Sequence, residues 1–155
     1  MTTAIVVYDS WYGCTKFVAE EVARGLSADG RVGTVVANVK EVNVRQVLEH
    51  DIIVIGSPNH LGGPTNRVRQ LLEEFRTYDL RGLRFAFFDT CYGPDHGKTV
   101  GRMEAILRDR NPFVSPPFMG LSVIVRSPHG PIMPGELSKC RELGRSIRTS
   151  LPISA

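Results

Sequence analysis

Three hydroxyls and a glycine crowd together near the start of the chain: Ser10, Tyr12, Gly13 and Thr15, within the run Val7-Tyr8-Asp9-Ser10-Trp11-Tyr12-Gly13-Cys14-Thr15-Lys16. An apolar segment, residues 4–8, precedes them. After them Val18, Val22 and Leu26 recur every four residues, the mark of a helix with one apolar face. A strand that feeds a helix through such a turn aims several backbone N–H groups, and the positive end of the helix dipole, at one spot. That spot suits a phosphate. A plain helix cap by Ser10 or Thr15 is the other reading of the same residues.

Two later stretches carry unusual residues. Gly56-Ser57-Pro58-Asn59-His60-Leu61-Gly62-Gly63-Pro64-Thr65 reads at the least as a strand-to-helix turn, with Thr65 placed to cap the helix that follows. Asp89-Thr90-Cys91-Tyr92-Gly93-Pro94-Asp95-His96-Gly97 is a third loop. Other chemistries fail on their own residues. Cys14 sits at a helix start, which acidifies a thiol, but a phosphatase Cys-x5-Arg loop needs arginine at position 20, where Glu20 stands. Small-residue packing suits Cys14 and Cys91 better. Strand three ends Ile55-Gly56-Ser57, without the phosphate-accepting aspartate of a receiver domain. The Gly-x-Gly-x-x-Gly of a dinucleotide site is absent after strand one. Cys14, Cys91 and Cys140 lie too far apart for a disulfide framework or a metal cluster.

The elements that must position these loops follow from periodicity. Strands are expected at 4–8, 31–39, 51–56, 83–89 and 121–125. Helices are expected at 17–26, 42–50, 65–78, 98–109 and 135–149, with a tail at 151–155. Segment 51–56 is almost continuously apolar and so is a central strand buried on both faces. Prolines at 112, 116 and 117 break the chain before the last strand. Inward stripes are Val44, Val47 and Leu48; Val68, Leu71, Leu72 and Phe75; and Val100, Met103, Ile106 and Leu107. Five alternations of strand and helix give an α/β, doubly wound parallel sheet in one domain, residues 1–155. The pattern alone leaves strand order open.

The spacing Ser10-x-x-Gly13-x-Thr15 resembles the phosphate loop of the flavodoxins, Ser/Thr-x-Thr-Gly-x-Thr. Tyr12 stands where that family usually has threonine; related flavodoxin-like domains, including those of the diflavin-iron oxygen reductases, carry Tyr or Trp there. The second loop resembles the family's Gly-Ser-Pro-x-x-x-Gly-Gly-Pro, which runs beside the isoalloxazine ring. Segment 130–137 is similar to the lead-in to the last helix of short prokaryotic members. The resemblance therefore covers nearly the whole chain, and strand five lacks room for the insertion of long-chain flavodoxins. It implies strand order 2-1-3-4-5, with the ligand over the C-terminal ends of strands one, three and four. It implies one FMN. Ser10, Trp11, Tyr12, Gly13, Cys14 and Thr15 would surround its phosphate end. Ser57, Pro58, Asn59, His60, Leu61, Gly62 and Gly63 would follow the ring. Thr90, Cys91, Tyr92 and Gly93 would complete the pocket, with Tyr92 stacking and Trp11 covering the other face or edge. Glycines let backbone approach a flat ring, and Pro58 stiffens the turn.

Composition bounds the partners. The 155 residues are 42% hydrophobic and 23% charged, an ordinary balance for a folded domain. No apolar run reaches the length of a membrane span. The start of the chain lacks a basic n-region, so no secretory signal is expected, and the scattered cysteines fit a reducing cytoplasm. Net charge is +3 and the pI near 8.9, whereas carriers of this family are usually acidic. Arg67, Arg69, Arg76, Arg81 and Arg84 read as a solvated helix face, or alternatively as a docking surface for an acidic partner. No basic stripe interleaved with aromatics points to nucleic acid. Loop two has no acid; Asp89, Asp95, His60 and His96 are the charged candidates near the ring. The function expected is an FMN-binding electron carrier serving a redox partner protein or small-molecule acceptor. The alternatives are an FMN-dependent NAD(P)H oxidoreductase acting on a quinone or other acceptor, and a module of the same fold without cofactor.

Overall fold

The computed structural model describes residues 1–111, Val114 and residues 118–151. The break expected around the prolines at 112, 116 and 117 lies outside these residues, as does most of the tail. The order of elements is β1 (Thr2–Tyr8), α1 (Cys14–Ser27), β2 (Val32–Asn38), α2 (Val44–Leu48), β3 (Ile52–Pro58), α3 (Asn66–Glu74), β4 (Arg84–Cys91), α4 (Lys98–Arg110), β5 (Met119–Ile124) and α5 (Glu136–Thr149). All neighbouring strands pair in parallel, in the order β2-β1-β3-β4-β5. The expected sheet and its order are both present.

Alternation along the strands splits the core in two, because successive side chains face opposite sides. Ala4, Val6, Ile52, Val54, Ala86, Phe88 and Val123 face α1 and α5. Ile5, Val7, Ile53, Ile55, Phe85 and Phe87 face α2, α3 and α4. The predicted stripes fall on these layers: Val18, Val22, Leu26, Val68, Leu72, Phe75, Met103 and Leu107 are fully buried. On the first face α1 and α5 approach closely through two glycines. A Cβ on Gly25 would stand 2.1 Å from the Arg141 carbonyl oxygen, and one on Gly144 would stand 2.1 Å from that of Val22.

Several boundaries differ from the periodicity. Helix α1 begins at Cys14, three residues earlier than expected, so Cys14 and Thr15 are first-turn helical residues. Strands β3 and β4 run two residues further, because Ser57 pairs with Asp89, Pro58 with Thr90 and Cys91 with Ile124. Helix α3 stops at Glu74 and tightens into a 3-10 turn over Phe75–Thr77. Among the described residues no helix is long and apolar enough to cross a membrane.

Candidate functional site

Parallel strands send their chain into loops at one end, and four such loops meet over the C-terminal ends of β1, β3, β4 and β5. They bound a cleft of about 90 Å³, lined by Ser10, Trp11, Tyr12, Cys14, Thr15, Pro58, Asn59, Thr90, Cys91, Tyr92, Val125 and Pro128. A larger cavity of about 490 Å³ at the far end of the sheet, around Leu80, Arg81 and Phe85, lies away from all four loops.

The first loop turns at Gly13, whose φ of 99° is available to glycine at little cost. The Ser10 hydroxyl accepts a hydrogen bond from the Gly13 N–H at 3.0 Å. It holds the turn rather than the helix, and no side chain caps α1. The simple-cap reading of Ser10 and Thr15 therefore fails. The first backbone bond of the helix runs from Phe17 N–H to Gly13 C=O. The N–H groups of Cys14, Thr15 and Lys16 precede it and are orphans by helix geometry. The Thr15 hydroxyl turns inward to meet that of Thr90 at 2.9 Å, tying the helix start to the end of β4. The Cys14 sulfur packs against the fourth loop, 3.3 Å from where a Gly130 Cβ would stand. Burial pushes its thiol above the ordinary value, and burial pushes Cys91 up to about 11. The packing of both fits the small-residue role expected of them.

The second loop divides into a pinned half and a projecting half. Ser57 is fully buried; its hydroxyl accepts from Thr65 N–H and donates to Pro58 C=O. The Asn59 amide donates to Asp95 at 2.8 Å and accepts from Thr99 at 2.7 Å, while its backbone N–H donates to Thr90 C=O. Both side chains are spent inside the protein. Thr65 caps α3 as expected and also donates to the buried Asp9 carboxylate at 2.7 Å. His60, Leu61, Gly62 and Gly63 then form a tight hairpin, with His60 and Gly63 exchanging two backbone hydrogen bonds. Leu61 (φ 52°) and Gly62 (φ 82°) are both left-handed, the signature of a type I′ turn. Leu61 is the one non-glycine residue with positive φ among those described. It is 94% exposed, so about 1–3 kcal/mol of backbone strain is held at a solvent-facing tip.

The third loop leaves Tyr92 and Gly93 exposed, with Thr90 and Cys91 buried at the end of β4. Trp11, Tyr12, Leu61 and Tyr92 are all exposed large apolar residues on these loops. Trp11 stands edge-on to His60 at 5.2 Å, and Tyr12 lies tilted against His129 at 3.9 Å. Gly13, Ser57, His60 and Gly93 are not cleft-lining, though each adjoins a residue that is; Leu61, Gly62 and Gly63 are not cleft-lining and lie further along the hairpin.

Two expectations need correction. Asp89 was a candidate for charge near the ligand. It is fully buried, does not line the cleft, and accepts from Ser122 O–H and from Val100 N–H at the start of α4. Burial raises its carboxyl above the usual range, against the pull of those two donors. The proposed basic helix face also splits. Arg67 and Arg69 belong to α3 near the cleft, whereas Arg76, Arg81 and Arg84 line cavities at the far end. The fourth loop, which supplies Val125, Pro128 and His129, was missed. Its Ser-Pro-His-Gly-Pro run after β5 was the available signal, but the switch-point rule directs attention to strands one, three and four.

These residues fit a phosphorylated planar ligand: unspent N–H groups at one helix start, exposed aromatic rings at the mouth, and paired hydroxyls on the floor. Known proteins agree at the level of family. The family model described as flavodoxin matches residues 6–110. A flavodoxin from the domain Archaea superposes with a TM-score of 0.77 at 23% identity, covering 96% of this chain and 98% of that one. Oxidised flavodoxin 2 from Bacillus cereus gives 0.82 at 18% identity, over 97% and 100% of the two chains. The rubredoxin oxygen:oxidoreductase of Desulfovibrio gigas gives 0.77 at 15% identity; 97% of this chain corresponds to 36% of that larger protein. Among curated protein sequences no match was found. With a family model spanning most of its length and the sheet order to go with it, the chain belongs to the flavodoxin family.

Proposed function

We propose that residues 1–155 form one flavodoxin-like domain that binds FMN and carries electrons between redox partners in a reducing, cytoplasmic compartment. The observation that carries this reading is the open start of α1, aimed into a cleft whose mouth is rimmed by Trp11, Tyr12 and Tyr92. The flavin, once bound, supplies the redox chemistry; the protein supplies binding, orientation and electrostatics.

In this reading the Cys14, Thr15 and Lys16 N–H groups and the Ser10 loop take the phosphate, a helix-start arrangement suited to a dianion. Tyr12 contributes its ring rather than the hydroxyl that threonine would bring. Pro58, Thr90, Cys91, Gly93 and the backbone of Asn59 form the inner wall. Tyr92 and Trp11 cover ring faces and keep water off them. Ser57 and the Asn59 side chain act as positioning residues, since each is committed to internal hydrogen bonds. The His60-Leu61-Gly62-Gly63 hairpin lies at the edge. Its strained central peptide can reorient to offer a carbonyl or an N–H to a neighbouring proton, because Gly62 tolerates either sign of φ.

Purified protein should be yellow, and the pigment released by heat should run with FMN rather than FAD. Colourless protein that leaves the fluorescence of added FMN unquenched would end this reading. On dithionite titration the loaded protein should take its electrons in two separable steps, with a distinct long-wavelength band midway. Rapid NAD(P)H oxidation with no such band would favour the oxidoreductase instead.

A further inference from the structure

The charge of the molecule is concentrated at its functional end. The four segments around the cleft, residues 9–16, 58–69, 91–102 and 125–136, hold six cations (Lys16, Arg67, Arg69, Lys98, Arg102, Arg126) and three acids (Asp9, Asp95, Glu136). That surplus equals the whole chain's +3, so the remaining residues balance. Burial and pairing sharpen the contrast. Asp9 and Glu136 are 3% and 4% exposed, Glu136 is ion-paired with Lys139, and Asp95 with Lys98. No ion pair engages Lys16, Arg67, Arg69, Arg102 or Arg126 among the described residues. Arg69 and Arg102, from different helices, converge on Gly63: their side chains lie 3.3 and 3.6 Å from where its Cβ would be. The exposed Trp11, Tyr12, Leu61 and Tyr92 lie on the same loops. Exposed aromatic residues together with arginines are the composition of a protein interface.

We infer that the loop end of this protein docks an electron-transfer protein with an acidic surface, opposite in sign to the pairing an acidic carrier would make. The inference rests on the electron-carrier reading and names the partner class for the same site. Unpaired cations on all four segments steer an acidic partner and orient it on the loop end. A single-stranded nucleic acid would stack bases on such aromatics but needs its cations in one continuous groove along the backbone, whereas these come from four separate segments.

The probe is an acidic rubredoxin in its zinc form, titrated into the ¹⁵N-labelled protein with and without FMN. Measuring both forms separates this inference from the cofactor reading and allows for the charge the phosphate adds. Shifts should fall on the four segments, and affinity should weaken about tenfold or more as salt rises from about 20 to about 200 mM. The triple variant Arg67→Glu, Arg102→Glu, Arg126→Glu should lose about tenfold or more in affinity and gain binding to a basic c-type cytochrome. Arg76→Glu, at the far end, should change neither. Each single reversal, checked for an unchanged melting curve, gives the same test should the triple variant fold poorly. Docking that ignores salt, equal preference for the cytochrome by the unmodified protein, or tighter binding of a short RNA or DNA duplex at matched salt would overturn the inference. An FMN-loaded protein that shows no shifts on this face would overturn it while leaving the carrier reading intact.

Discussion

Two helix starts at the loop end of the sheet, one on each face, are finished in opposite ways. At α3, Thr65 caps the helix, and Asp9 and Ser57 in turn hold the Thr65 hydroxyl and N–H. At α1, Gly13 turns the chain and no side chain follows to cap it. The other long helices also lack a side-chain cap at the capping residue, but each holds a protein carboxylate at its start. Helix α4 has the Asp89 carboxylate on its Val100 N–H, and α5 carries Glu136 in its first turn. Both also begin at a glycine with positive φ, so glycine is not what distinguishes α1. The difference is that a protein anion or hydroxyl has been built in at three starts and withheld at the fourth. Because a helix start attracts negative charge, the start that holds no anion of its own is the one that takes the phosphate in the proposed reading.

Closing the open start should have the largest effect. Cys14→Asp places a carboxylate where the phosphate would sit. FMN affinity should fall by at least about 100-fold, on the order of 3 kcal/mol. The FMN-free protein should become more stable by about 0.5 kcal/mol, as an acid in the first turn favours the helix. Isothermal titration and urea midpoints read the two opposite signs. Opening the closed start should do the reverse: Thr65→Val removes the α3 cap and leaves Asp9 buried without its donor. Stability should drop by about 2 kcal/mol in urea, with FMN affinity held within about threefold.

A smaller effect is expected at Thr15. Its hydroxyl is shared with Thr90, so Thr15→Ala should weaken FMN by about 1 kcal/mol, less than the about 1.5–3 kcal/mol of an unshared bond to a charged group. An unchanged dissociation constant in the Thr15→Ala, Ser10→Ala double variant would reduce the loop to a structural turn.

The smallest effect concerns Asp89, the internal anion of α4. Burial raises its folded carboxyl above the ordinary aspartate value, so the folded state holds the proton more tightly than the unfolded chain. Its contribution to stability is therefore present below that ordinary value and is lost as pH rises through the folded value. Asp89→Asn should abolish this component. Denaturation midpoints of the two proteins should converge at low pH and separate as pH rises; parallel curves would mean that Asp89 titrates normally.

The layers were legible in sequence because burial has a period. Val18, Val22 and Leu26 marked one side of α1, and the run Ile52-Ile53-Val54-Ile55 marked a strand covered on both faces. Apolar period says nothing about a first turn made of Cys14, Thr15 and Lys16, so the start of α1 was placed late. The loops were legible as compositions but not as circuits. Asn59 looked available to a ligand, yet its partners Asp95 and Thr99 lie 36 and 40 residues away. Neighbouring arginines misled for the same reason: Arg69 is closer in purpose to Arg102 than to Arg76, because a helix carries Arg76 to the other end of the sheet.

The central claim is that the start of α1 recognises a terminal phosphate. Titrating flavin-free protein with FMN and with riboflavin, which differ only in that group, tests it most directly. FMN should bind at least about 100-fold more tightly, as expected for several charge-assisted hydrogen bonds from backbone N–H groups, and Cys14→Asp should erase the difference. Equal affinity for the two flavins, or binding of neither, would contradict the account.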